Sequence, residues 1–201
     1  MIPGPAQILT CPFCGREKKI MSLVSGNTCG SVLWSDNKRI SPMLPEISAV
    51  QKCPRCGKYY LRSRQKAVFG GHSPDQGLLA FPEMKEAFAQ LLAEGLDGRE
   101  ERTVRFMLHT AYNDFYHRDR RARRIDPQDR TLFRDNALWL IENVLEDDII
   151  KAEFYREIGE FEKASAALEG VKPGSGFLKT IVDGIRSRLE AGDDAVFLVD
   201  G

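Results

Sequence analysis

The sequence predicts an α+β chain, a small β-rich N-terminal part followed by an α-helical bundle. Three observations lead there. The motif CPxCG occurs twice, at Cys11–Gly15 and Cys53–Gly57, within a stretch of short apolar runs. Residues 70–77 (Gly-Gly-His-Ser-Pro-Asp-Gln-Gly) interrupt regular structure with glycine and proline. Beyond that break the apolar residues recur every three or four positions, the period of a helix face. The expected division is therefore a domain over 1–71 and a second over 72–201.

Composition bounds the remaining choices. With 42% hydrophobic and 29% charged residues among 201, the chain carries enough apolar side chains to build a core, which excludes wholesale disorder. No apolar run approaches the ~20 residues that cross a bilayer. The start, Met1 to Ala6, lacks a basic patch followed by an apolar stretch, so no secretory signal is expected. The net charge of zero conceals +8 over residues 1–71 and −8 over 72–201. Within the second part, 99–134 carries +4 and 142–201 carries −7. Such asymmetry fits the solvated surfaces of two differently built parts, and alternatively an anionic partner.

Short strands are expected at Ile20–Val24, Ser31–Trp34 and Lys58–Leu61, where apolar runs sit between Gly, Asn, Asp and Pro. The first helix opens at Phe81-Pro82-Glu83, since proline suits a first turn, and stops at Gly95. A second runs from about Gly98 to Tyr116, with Val104, Met107, Leu108, Ala111 and Phe115 on its apolar face. Asp126 caps a third helix, with Pro127 as its first residue and a wide stripe from Leu132 to Leu145. Asp147–Ile158, Glu160–Leu168 and Ser175–Ala191 follow. The apolar, β-branched ending Ala195–Val199 reads as a docked strand or as an exposed sticky tail.

Four of the five cysteines lie in the two CPxCG motifs, a pattern of metal sites in reducing compartments rather than of secreted disulfide scaffolds. Two residues between thiolates let one turn aim both sulfurs at one ion, and the glycine after the second cysteine permits the positive φ that closes the turn. Backbone N–H groups of such a turn can donate to the sulfurs and disperse their charge. Two such turns make a tetrahedral Cys₄ set, and soft thiolates in that array select Zn²⁺ over its main competitor, iron. Residues 11–61 thus resemble a zinc ribbon, in which two CPxCG knuckles at hairpin ends share one zinc. The resemblance implies Cys11, Cys14, Cys53 and Cys56 as ligands. A closed Cys₄ set leaves no open coordination position, so the zinc is expected to be structural, contributing on the order of 10 kcal/mol to folding. Cys29 is expected to be a small buried hydrophobe, with an alternate metal ligand and a reactive thiol as the other readings.

Between the knuckles, Trp34 stands near Lys38 and Arg39. The segment reads as a hairpin extension with Asp36-Asn37 in its turn and Trp34 over a thin core. The alternative is a stacking and phosphate-contact surface. Further along, Ala152, Tyr155, Gly159, Phe161, Ala164 and Leu168 fall at offsets that resemble a tetratricopeptide repeat, although Gly176 stands where that unit's closing proline belongs. The combination resembles uncharacterised bacterial proteins that join a zinc ribbon to helical repeats. By fold analogy, such packing implies a surface for a protein or peptide partner.

Catalytic patterns are lacking. There is no HExxH, no GxSxG, no phosphate-cradling glycine loop and no dinucleotide fingerprint, which disfavours an enzyme. His109 with Asp114 and His117 with Asp119 are possible pairs, but polar residues on a helix surface are the expected account. Arg118, Arg120, Arg121, Arg123 and Arg124, preceded by Tyr112, Phe115 and Tyr116, form a basic run. Solvation of a helix exit and pairing with the acidic C-terminal part are its default role. A phosphate backbone is the alternative. The sequence therefore favours a cytoplasmic, non-enzymatic interaction module, with a nucleic-acid-associated factor as runner-up.

Overall fold

The structure is a computed structural model that describes residues 2–44, 46–65, 68–69, 78–118, 126–172 and 176–199. These residues form small antiparallel sheets and helices in a mixed α+β arrangement. They group into two compact units, each built from two stretches of chain. One comprises 1–31 and 41–111, the other 32–40 and 112–201.

In the first unit, β1 (Ile2–Pro3) pairs with β4 (Leu23–Ser25). Strand β2 (Gln7–Thr10) pairs with β3 (Glu17–Ile20) on one side and with β9 (Val68–Phe69) on the other. A separate hairpin joins β7 (Val50–Lys52) to β8 (Tyr59–Leu61). Helix α1 (Phe81–Glu94) packs on β8 and buries Phe81, Met84, Ala87, Phe88 and Leu91. It also completes the edge of that strand. The Gln90 side chain accepts from the Tyr59 N–H (3.1 Å) and donates to the Tyr59 carbonyl (2.8 Å), as a neighbouring strand would. Tyr59 donates its hydroxyl to Glu86 (2.7 Å), and Lys52 pairs with Glu83 at 2.8 Å. Helix α2 (Gly98–Arg118) belongs to this unit as far as Ala111 and buries Val104 and Leu108 in it.

The second unit begins with the hairpin of β5 (Val32–Trp34) and β6 (Arg39–Ile40). Asn37 takes φ +65° at its turn, and Asp36 accepts from the Lys38 N–H, the local bonding that makes Asp-Asn a turn pair. Helices α3 (Pro127–Asn143), α4 (Asp148–Glu157), α5 (Phe161–Leu168) and α6 (Phe177–Ala191) follow. Asp126 caps α3 with a side-chain acceptor, as the sequence indicates, and Asp147 does the same for α4. Between α4 and α5, Gly159 adopts φ +78°. Its N–H bonds the Arg156 carbonyl, and the Glu160 N–H bonds the Tyr155 carbonyl, a Schellman ending that reverses the chain. Ala152 and Ala164 are fully buried, so the two helix backbones approach closely there.

The C-terminal apolar segment is docked on its own chain. Strand β10 (Leu198–Val199) pairs antiparallel with β5, and Phe197 exchanges backbone and side-chain bonds with Ser35. Phe197 and Val199 complete a core with Ala152, Leu168 and Ile185.

Candidate metal centre

Each CPxCG motif occupies the tip of a hairpin, the first between β2 and β3, the second between β7 and β8. The two tips have the same geometry. In the first, the Cys11 N–H donates to the Arg16 carbonyl (2.9 Å) and the Gly15 N–H to the Cys11 carbonyl (3.0 Å). In the second, Cys53 pairs with Lys58 (2.9 Å) and Gly57 with Cys53 (3.0 Å). Gly15 and Gly57 sit at φ +69° and +73°, the left-handed region the closing residue of the turn must adopt. Convergence of the tips brings the four sulfurs within 4.8 Å of one another, with Cys11 to Cys56 at 3.7 Å and Cys14 to Cys53 at 3.5 Å. Among the described residues this is the one cluster of metal-ligating side chains so arranged. Leu9, Ile20 and Tyr60 pack against Cys11 and Cys53 beneath it, a core too small to hold two hairpins together unaided.

Charge explains why such a cluster calls for a cation. Burial pushes the Cys11 thiol up, to about 12, even though the N–H groups of Phe13 and Cys14 point at its sulfur. Cys53 is equally buried, but N–H groups of Cys56 and Arg55, with the thiols of Cys56 and Cys14, bring it down to about 6. Four sulfurs this close do not all ionise in one another's presence without a positive ion among them. Burial and then the neighbouring sulfurs raise Tyr60 to about 12, so its phenol stays neutral beside them. The donor set, the convergent turns and the oriented amides suit a thiophilic metal ion, which would supply the charge that keeps four thiolates together.

The other candidates from the sequence fall elsewhere. Cys29 is exposed, a correction to its expected burial. It lies in a loop where Asn27 accepts from its N–H. Trp34 is buried (8% exposed) and meets His117 edge-on at 4.9 Å, so its ring offers no stacking face to solvent. Lys38 is half-buried and Arg39 exposed. His109 and the His117 side chain, expected on a helix surface, are buried, and His117 lies against Asp36, 81 positions away in sequence. Tyr112 stacks on Phe133 with centroids 3.8 Å apart, and Phe115 meets Tyr116 edge-on. The Arg118 side chain, and Asp119, Arg120, Arg121, Arg123 and Arg124, lie outside the described residues, as does His72.

Sequence reasoning missed a buried polar cluster in the second unit. His117 Nε2 lies 3.1 Å from Asp36, and Nδ1 lies 3.5 Å from Asp114. Burial alone would depress this histidine, but bonds to Asp114 and Asp36 outweigh it and lift its pKa to about 9. Asn113 donates to Asp36 (3.2 Å) and to Glu157 (2.7 Å). Arg156, fully buried, forks onto Glu153 and donates to the carbonyls of Asp193 (2.6 Å) and Ala195 (2.9 Å), tying down the C-terminal segment. The adjoining cleft, lined by Asn113, Tyr116, Arg130, Glu157 and Asp194, has about 10 Å³ of room, enough for a single water. Residues 81 positions apart, as Asp36 and His117 are, cannot be paired from periodicity. No helix among the described residues is long and apolar enough to cross a membrane. No protein-family model, no curated protein and no solved structure matches the chain.

Proposed function

We propose that this chain is a non-enzymatic zinc-binding interaction module of bacterial type. Cys11, Cys14, Cys53 and Cys56 form the structural Zn²⁺ site of a zinc ribbon, and the helical unit packs in the tetratricopeptide manner to receive a protein or peptide partner. The observation that carries the reading is the closure of the cysteine set. All four sulfurs converge, and no fifth metal-ligating side chain among the described residues joins them. A tetrahedral set of four thiolates gives an ion no position for substrate or water, which is the arrangement of structural rather than catalytic zinc. Cysteines spaced for a metal also suit the reducing cytoplasm.

For the helical unit, support comes from the Gly159 reversal and the close approach at Ala152 and Ala164. Phe177 and Leu178, at the start of α6, are 47% and 53% exposed and form the apolar surface on which a partner would act. The test is capture of a partner from bacterial lysate by the chain and by its Phe177→Ser/Leu178→Ser variant. A specific partner lost with the variant is the expected result, and capture unchanged by it would overturn the assignment of that surface. Oligonucleotide binding that weakens steeply with salt would transfer the function to nucleic acid.

A further inference from the structure

The four sulfurs of the centre are not equivalent towards solvent. Cys11 and Cys53 are buried at 2% and 1% exposure, Cys14 is intermediate, and Cys56 is exposed. The exposed sulfur belongs to the turn Pro54-Arg55-Cys56-Gly57-Lys58, every residue of which is exposed. Two cations flank it in sequence, and neutral or anionic oxidants approach such a thiolate more readily than a buried one. On the other knuckle stands Cys11, its sulfur 3.7 Å from that of Cys56.

We propose that Cys56 is an oxidation site through which a two-electron oxidant such as hydrogen peroxide opens the metal centre. The inference rests on the zinc reading above. In the first step the Cys56 thiolate attacks one oxygen of the peroxide. A sulfur–oxygen bond forms, the oxygen–oxygen bond breaks, sulfur loses two electrons to the oxidant, and hydroxide leaves. Cys56 is then a sulfenic acid. In the second step the Cys11 thiolate attacks the Cys56 sulfur, forming the sulfur–sulfur bond and expelling a second hydroxide. Two thiolates and one peroxide thus give one disulfide and two hydroxides. The disulfide crosses between knuckles rather than closing within one CxxC pair. It leaves Cys14 and Cys53, 3.5 Å apart, as the two remaining donors, and two thiolates do not retain an ion that four held. Reduction by a thiol reverses both steps and restores the ligand set.

The experiment uses the full chain with Cys29→Ser, which removes the exposed thiol outside the centre. Zinc content is measured first. Hydrogen peroxide is then titrated in while released zinc is followed by a chromogenic chelator, and cysteines are mapped by differential alkylation and mass spectrometry. Zinc is expected to leave at about one peroxide per chain. Cys56 should be the first sulfur lost to alkylation, with a peptide linked through Cys11 and Cys56 and full recovery of binding after dithiothreitol. Zinc present at the outset but retained under excess oxidant would overturn the proposal, as would first oxidation at another sulfur or a link between Cys53 and Cys56. Absence of zinc before any oxidant is added would instead sink the reading of the centre itself, and this inference with it.

Discussion

Replacing Gly184 by alanine pits two effects of known size against each other. Gly184 lies inside α6, where alanine is favoured over glycine by about 1 kcal/mol because it restricts the unfolded chain and covers the helix backbone. Against this, a Cβ at position 184 would stand 2.7 and 2.9 Å from two carbons of the Phe197 ring, distances at which something must move. The ring has little freedom to yield. The Arg188 guanidinium lies 3.7 Å from its centroid, and Ala152, Ile185 and Val199 share its core. Overpacking of this kind costs about 1–3 kcal/mol, so Gly184→Ala is expected to destabilise the chain by about 1 kcal/mol net. Phe197→Ala, which empties a buried aromatic site, is expected to cost about 3–4 kcal/mol. The informative variant is the double one. With the ring gone the three nearest contacts of the new methyl are removed, and Gly184→Ala should then stabilise by up to about 1 kcal/mol. Urea denaturation followed by circular dichroism gives all four corners of the cycle. A stabilising Gly184→Ala in the parent chain, or a destabilising one in the Phe197→Ala background, would refute the packing of the C-terminal segment against α6.

Other consequences follow from the buried polar cluster. His117 has its pKa raised from 6.5 to about 9, so its stabilisation is fully present below about pH 6.5 and is lost as pH rises through about 9. At about 1.4 kcal/mol per pKa unit this amounts to roughly 3 kcal/mol. Comparing the pH dependence of stability for the parent and His117→Gln isolates it, and parallel curves for the two would contradict the pairing. Arg156→Met leaves Glu153 buried without its partner and frees the carbonyls of Asp193 and Ala195, an expected loss of about 3–5 kcal/mol. A loss under about 1 kcal/mol in chemical denaturation would show the fork to be dispensable.

Local features were legible in the sequence. The knuckles depend on four or five consecutive residues, so CPxCG fixes both the turn and the direction of its sulfurs. Asp126-Pro127, Asp147 and the glycines at 95 and 159 mark helix ends because caps act over one turn. What distant chain covers was not legible. Trp34 and His109 carry no sign of burial in their own segments, and the periodicity of α2 gives no hint that Asp36 lies against His117. Cys29 is the opposite case, since its residue type favours burial but the structure leaves it exposed in a Gly-Asn-Thr loop. The ending 195–199 was ambiguous in sequence, and the choice was made by Arg156, Ser35 and the absence of a side chain at Gly184.

The central claim is that four sulfurs from two hairpin tips share one ion. X-ray absorption at the zinc edge, on protein purified under reducing conditions, tests it most directly. The expected spectrum is that of one zinc per chain with four sulfur neighbours at about 2.3 Å. A spectrum dominated by nitrogen or oxygen neighbours, or a folded protein with no absorption edge at all, would contradict it.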